Sequence, residues 1–449
     1  MGHAHSQEHK DRHHTSMRHG SVDLLAPPQL VNLMQRRLSG TTEGSNIDKE
    51  AFQQYFSNPA QGFGKLLYEY VNRQSQSKYS DAADTTDGST RVRKEDFVIT
   101  AKSLLSLSHS KSDQIKFYCN LYSKGEDKLT EEDSRQLIEA AYVMYMASMG
   151  FRCEVTETTH AAIVANFATK LSSCKDMNAI SYCIQCNCPD LLTGMHDWVV
   201  LLLNAEANPD SLQPIEEERL PGSMLSYPLA WLISCSVPAT YTVESTMKSA
   251  MDKTNNLRWD HWMTLYDSNT KGLSMNRFQH HTLSYKGPTI MLVTCSGGYL
   301  FVIAVDQEWR ESTQHWGGSG CAILQFAPTF KSLEEGANMM FLNDRSRSLP
   351  KGIMVGKNNN SPVLTIDGGL TEVTHTHGMK SGLESIEVIG CGGSDAIACQ
   401  TKQKEWELRQ AHRQRKVPLP GNWDENPDKF LLELGGIKVN HAEQVRDNY

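Results

Sequence analysis

PTIMLVTCSGGYLFVIAV, residues 288–305, sets two apolar runs on either side of Cys295, Ser296, Gly297 and Gly298. Thr289 to Thr294 and Tyr299 to Val305 each have the length and the β-branched and aromatic content of a strand, and the connection between them has hairpin length. Both runs are apolar at nearly every position instead of every second one. Strands of that kind need cover on both faces, so the pair is predicted to lie inside a sheet that is packed on each side. Gly297 and Gly298 then supply the positive φ of a tight turn. A phosphate cradle requires another pattern, and GIMVGKN at 352–358 has neither the spacing nor the hydroxyl of G-x-x-x-x-G-K-[ST].

Short strand-like runs continue on the C-terminal side as CAILQF (321–326), PVLTID (362–367) and SIEVIG (385–390), punctuated by glycine. They predict a β-sandwich with flanking helices. Toward the N-terminus the texture changes at EANPDSLQPIEEER, residues 206–219, a linker by composition. Before it, residues 26–205 read as helices, most plainly TEEDSRQLIEAAYVMYMASMG, which Thr130 or Asp133 can cap and Gly150 can stop. The fold class is therefore α+β: an all-α half, then a sandwich at 220–396, then a helical extension at 397–449.

Three segments of the helical half resemble calcium loops that have lost their ligands. With Leu129 at the apolar eighth position, Tyr122 and Lys124 fall where calcium needs oxygen donors. The loop around Val92 keeps Asp87 and Asp96 but has Thr90 in place of the central glycine, and the loop around Ile47 lacks its final acid. An EF-hand-like helix-loop-helix scaffold without a competent calcium site is expected, with ordinary acidic helix turns as the alternative.

A formal net charge of -8 over 449 residues provides no basic field, so no nucleic-acid partner is expected. Eleven cysteines behind an N-terminus without an apolar leader do not suit a secretory disulfide framework and point to reducing cytosol. WVVLLL and MLSYPLAWLISCSVPA are too short or too interrupted to span a bilayer. The start MGHAHSQ does place Gly2 and Ser6 in the M-G-x-x-x-[ST] pattern for N-myristoylation. One acyl chain binds a membrane weakly and requires a second signal. The histidines between His3 and His19, in residues 1–25 that are expected to be disordered, can supply one as the pH falls.

Catalytic motifs fail in turn. GGSGC (317–321) has Cys321 where the G-x-S-x-G elbow ends in glycine, and no H-E-x-x-H occurs. His280 and His281, if on a strand, point to opposite faces. The sharper cluster is Cys183, Cys186 and Cys188, with Cys174, His160 and His196 within reach in sequence. A C-x-x-C pair can grip zinc, but the spacing is unlike a ribbon or knuckle, and buried structural thiols are the alternative. No catalytic residue and no cofactor is assigned.

LYDSNTKGLSMNRFQHHTLSYKGPTIMLVTCSGGYLF, then Trp309, GCAILQF and GLESIEVIGCG together resemble the TLDc domain over roughly residues 220–396. Val302-Ile303 and Ser361-Pro362 depart from that family's glycine-containing pairs. The resemblance implies a binding module associated with the vacuolar proton pump (V-ATPase) and with protection from oxidative stress, and no established catalytic residues. The whole layout is similar to the lysosome- and mTOR-associated branch of the family. That implies myristoylation at Gly2, the cytoplasmic face of the lysosomal membrane and the cytoplasm as location, and mTOR signalling as context. In the extension, ENPDKFLLELGG forms a short helix with Phe430, Leu431 and Leu434 on one side, a candidate partner-binding face. The alternative function is a zinc-binding or thiol-based stress protein centred on Cys183, Cys186 and Cys188.

Overall fold

The computed structural model describes residues 47, 49–79, 92–153, 159–204, 207, 211–215, 223, 225–243, 258–358, 360–375, 378–415, 431 and 434–435. Two compact units are present, Met1–Ala396 and Ile397–Tyr449. Gly2 and Phe430 lie outside the described residues.

The first unit begins with α1 (Lys49–Phe56), α2 (Phe63–Tyr79), α3 (Lys94–Ser106), α4 (Lys111–Tyr122) and α5 (Glu131–Ser148). After the short strand β1 (Phe151–Arg152) come α6 (Thr159–Ser172), α7 (Met177–Asn187) and α8 (Thr193–Leu203), then β2 (Gln213–Pro214) and α9 (Tyr227–Ser236). Helix α5 is the hub. A capping box between Thr130 and Asp133 starts it, Gly150 at φ 86° follows its end, and every residue from Ala140 to Ala147 is buried. A helix that is apolar all round must be surrounded. α6 and α8 pack on it, and Gly194 of α8 sits so close to the Tyr145 ring that a Cβ would stand 2.3 Å from Cδ2.

The helix-loop-helix expectation is met by α4, the 123–130 loop and α5. Two of its acids are engaged by the protein itself. Lys124 Nζ lies 3.4 Å from Asp133 Oδ1, and Asp127 Oδ1 accepts the Met177 amide at the start of α7 at 3.2 Å. The ammonium of Lys124 stands where a cation would be needed, and Tyr122 is buried. In the first two loops the apolar eighth residues meet: Ile47 N donates to Val92 O at 3.0 Å.

The second half of the unit contains β3 (Met263–Asp267), α10 (Ser268–Lys271), α11 (Met275–Thr282) and the hairpin β4 (Thr289–Cys295) and β5 (Tyr299–Val305). Strands β6 (Ala322–Ala327), β7 (Lys331–Glu335), β8 (Met340–Asn343), β9 (Gly352–Val355), β10 (Leu364–Asp367), β11 (Glu372–His375) and β12 (Met379–Gly390) complete it. The strand order is β7-β6-β5-β4-β12-β11-β10-β9-β8, with β3 also on β12. β12 is shared. Its residues 379–382 pair with β11, and from Leu383 onward the strand pairs with β4, with a register shift between Leu383 and Ser385, and over residues 387–390 also with β3. A bulge of this kind lets one strand pass from one sheet to another.

The hairpin is antiparallel from Thr289 opposite Val305 to Cys295 opposite Tyr299, and Gly297 and Gly298 hold φ of 82° and 75°. Its two faces have different partners. Ile290, Leu292, Val302 and Ala304 join Ala322, Leu324 and the helices in one hydrophobic cluster that runs from Ile47 to Cys391. The alternate residues Met291, Val293, Phe301 and Ile303 are fully buried outside that cluster, and Phe301 meets His375 of β11 at 5.2 Å between ring centroids. This is the two-sided cover that unbroken apolarity requires.

Helices and strands therefore share a core. Phe330, between β6 and β7, lies 4.3 Å from the Phe167 ring of α6 and 4.8 Å from Phe326, and Asn187 at the end of α7 accepts the Ser332 amide at 2.7 Å. Phe330→Ala is expected to cost about 3–5 kcal/mol in denaturant unfolding. Helical circular dichroism and the tryptophan signal of the strand half should fall together in one earlier transition.

Candidate functional site

His280 and His281 are on a helix, which corrects the strand placement. Met275, Phe278 and Thr282 recur at helical spacing on the buried side of α11, and the histidines end that helix, His280 exposed and His281 half-buried. Phe278 contacts Trp309 at 5.2 Å, and Trp309 Nε1 donates to Thr289 Oγ1 at 2.8 Å, so α11 belongs to the Thr289 end of β4. Cys295 is at the other end, about 20 Å along the strand. Its thiol is buried, and burial pushes its pKa up to about 12. The three residues do not converge.

The interior polar groups are engaged in holding the fold. Asp306 accepts the amides of Gly318 at 2.7 Å and Gly320 at 2.9 Å, and Cys321 Sγ lies 3.1 Å from its Oδ1. A Cβ at Gly318 would stand 2.3 Å from this carboxylate, so the GGSGC segment is an anchored loop. Glu387 of β12 accepts Ser223 and Thr264 hydroxyls. His375 bonds the Ser381 hydroxyl at 2.9 Å, and burial lowers its pKa. His196 of α8 bridges Tyr118 OH and Ser108 Oγ, each at 3.0 Å.

Cys183 and Cys186, three residues apart on α7, are near enough to interact, whereas Cys188 at the end of the helix turns away from them. Cys183 is beside Cys174, Cys188 is fully buried beside Cys235, and Cys186 is exposed next to Tyr182. Burial raises the Cys183 thiol to about 11 and raises the Cys188 thiol as well, away from the thiolate that zinc or redox chemistry uses. His196 is already committed, and the His160 side chain is outside the described residues. Among the described residues no group of three His, Cys, Asp or Glu side chains is arranged for a metal.

Among the described residues two further features are candidates for contact. A cleft of about 990 Å³ lies between the α1–α2 connection, α2 and α5, with Lys65, Glu69, Lys124, Glu139 and Arg152 on its walls. Sequence reading missed it because its walls come from segments nearly a hundred residues apart. In the second unit Leu431 and Leu434 are helical, with Gly435 N donating to Leu431 O at 3.0 Å, and both are exposed, at 65% and 70%. Three-residue spacing places them on one side.

The strands from β3 to β12 thus form an antiparallel arrangement in which β12 is shared, and helices precede it in the chain. The TLDc domain model matches residues 241–386, about a third of the chain. Restriction of telomere capping protein 5 of Leptosphaeria maculans is 22% identical over 254 residues, 38% of this chain and 40% of that one. MTOR-associated protein MEAK7 of Xenopus laevis is 29% identical over 100 residues, 21% of each chain, and that of Danio rerio is 29% identical over 98 residues, 21% of this chain and 22% of that one. The matched stretches thus span less than half of these relatives.

Desolvation in the packed helices pushes His196 from 6.5 down to about 4, so the native protein keeps it neutral. The unfolded chain takes up the proton first as the pH falls. Stability from this group is therefore complete above pH 6.5 and is lost between 6.5 and about 4, by a few kcal/mol. His196→Gln should flatten the stability–pH slope in that window, measured by urea unfolding at a series of pH values.

Proposed function

We propose that the protein is a non-enzymatic regulator of TLDc type, held on the cytoplasmic face of the lysosomal membrane through a myristoyl group on Gly2. In this reading its sandwich and the Phe430, Leu431 and Leu434 helix engage the V-ATPase, and the adaptor acts in mTOR signalling. The TLDc match over residues 241–386 carries the proposal. The printed name of the frog and fish relatives, MTOR-associated protein, supports the signalling context. Further support comes from the interior polar groups, which hold turns and strands where an enzyme would aim them at a substrate, and from the exposure of Leu431 and Leu434. The zinc or thiol reading has less support, because Cys188 is packed beside Cys235 away from Cys183 and Cys186, and burial holds the Cys183 and Cys188 thiols in their neutral forms.

Gly2→Ala should shift the protein from lysosomal membranes to the soluble fraction on fractionation; unchanged membrane recovery would remove the anchor from the proposal. Phe430→Asp with Leu434→Asp should lower recovery of the V-ATPase in pull-downs at least tenfold, as expected when two apolar anchors of a short docked helix become charged. Recovery equal to wild type would remove the helix from the contact.

A further inference from the structure

The C-terminal helix carries a second surface that the proposal above does not use. Helix α12 spans Gly393–Arg415, and Lys402, Trp406, Arg409 and Arg413 follow one another at intervals of four, three and four residues. That spacing aligns them in one stripe. All four are exposed, the Trp406 ring at 52%. None of the three cations makes an ion pair among the described residues, and Arg409 Nε is bonded only to the Glu405 backbone carbonyl of its own helix, at 3.2 Å.

We infer that this stripe is a docking face for an anionic lipid bilayer. The charge is complementary: the chain as a whole is at -8, yet the eight residues RQAHRQRK from Arg409 to Lys416 hold four cations and no acid. A Trp flanked by cations suits the headgroup layer, where the indole is half in apolar and half in wet surroundings. A protein groove reads a different signal, a strip of apolar side chains at three- and four-residue spacing. Leu408, the other large apolar side chain here, is exposed at 61% but lies about 200° around the helix from Trp406 and does not extend the stripe. Glu405, three residues after Lys402 and four before Arg409, borders the row and reduces its field, whereas Glu407 lies farther around the helix, so the row keeps three cations against one flanking acid. One acyl chain is insufficient for stable attachment, and a basic face is the kind of second signal that completes it.

The inference deepens the reading of the protein as a membrane adaptor, and its test is independent of the lipid anchor. Full-length protein carrying a free N-terminal glycine is sedimented with phosphatidylcholine vesicles, with and without phosphatidylserine. Binding is expected only to the phosphatidylserine vesicles and should weaken as salt is raised. Lys402→Gln, Arg409→Gln and Arg413→Gln together should weaken it about a hundredfold, at roughly fivefold per cation, and Trp406→Ala should weaken it as well. All four positions are exposed, so these variants should retain the wild-type thermal transition. Equal binding to neutral vesicles, no binding to either, or a triple variant that pellets like wild type overturns the inference. So does a triple variant that loses V-ATPase recovery while the wild-type chain ignores both vesicles, which would assign the face to a protein. If unacylated protein binds the vesicles but Gly2→Ala leaves lysosomal localisation unchanged, the helix face stands and the Gly2 anchor falls.

Discussion

Everything in the first unit depends on the β4–β5 hairpin being packed from both sides. Side chains alternate across a strand, so Ile290, Leu292, Val302 and Ala304 can meet the helices only if Met291, Val293, Phe301 and Ile303 meet something else. Each large apolar side chain buried here contributes roughly 1.5–3 kcal/mol relative to exposure. Neither half of the molecule can be removed without returning one set to water. The helices and the β8–β11 strands are thus two covers on one plate, and β12 supplies the join between sheets by passing from β11 to β4 between Gly382 and Leu383.

Polar residues inside such a plate need partners, because a buried and unsatisfied polar group costs about 1–3 kcal/mol. Trp309 donates to Thr289, Glu387 takes two hydroxyls and Asp306 takes two amides. The same demand explains why residues that look reactive in sequence are inert in the fold. His196 and the buried thiols are shifted by desolvation toward their neutral forms, and their neighbours are hydrogen-bonding or apolar groups of the scaffold.

The pseudo-calcium loops follow the same economy of charge. Lys124 faces Asp133, and Asp127 serves the start of α7. These two acids, which a calcium-binding loop could hold ready for an ion, are here tied to the protein's own donors. The groups left for outside contact are on the exterior: Leu431 and Leu434 near the C-terminus and the cationic row on α12.

Much of this was legible in the sequence because it depends on local pattern. Unbroken apolarity in 289–305 required cover on two faces, the glycine pair required positive φ, and the order of TLDc landmarks pointed to the family. Helical spacing likewise set Leu431 and Leu434 side by side. The identity of the covers was not legible, since Phe167 and Phe330 are 163 residues apart in the chain and nothing local marks their meeting. His280 and His281 were misplaced for a related reason: a short run with few apolar residues fits strand and helix alike until Phe278 finds Trp309. The fate of Cys183, Cys186 and Cys188 was likewise decided by packing. Sequence spacing places sulfur atoms near one another along the chain, but the rotation of a helix and the neighbours on each side determine which of them share a space.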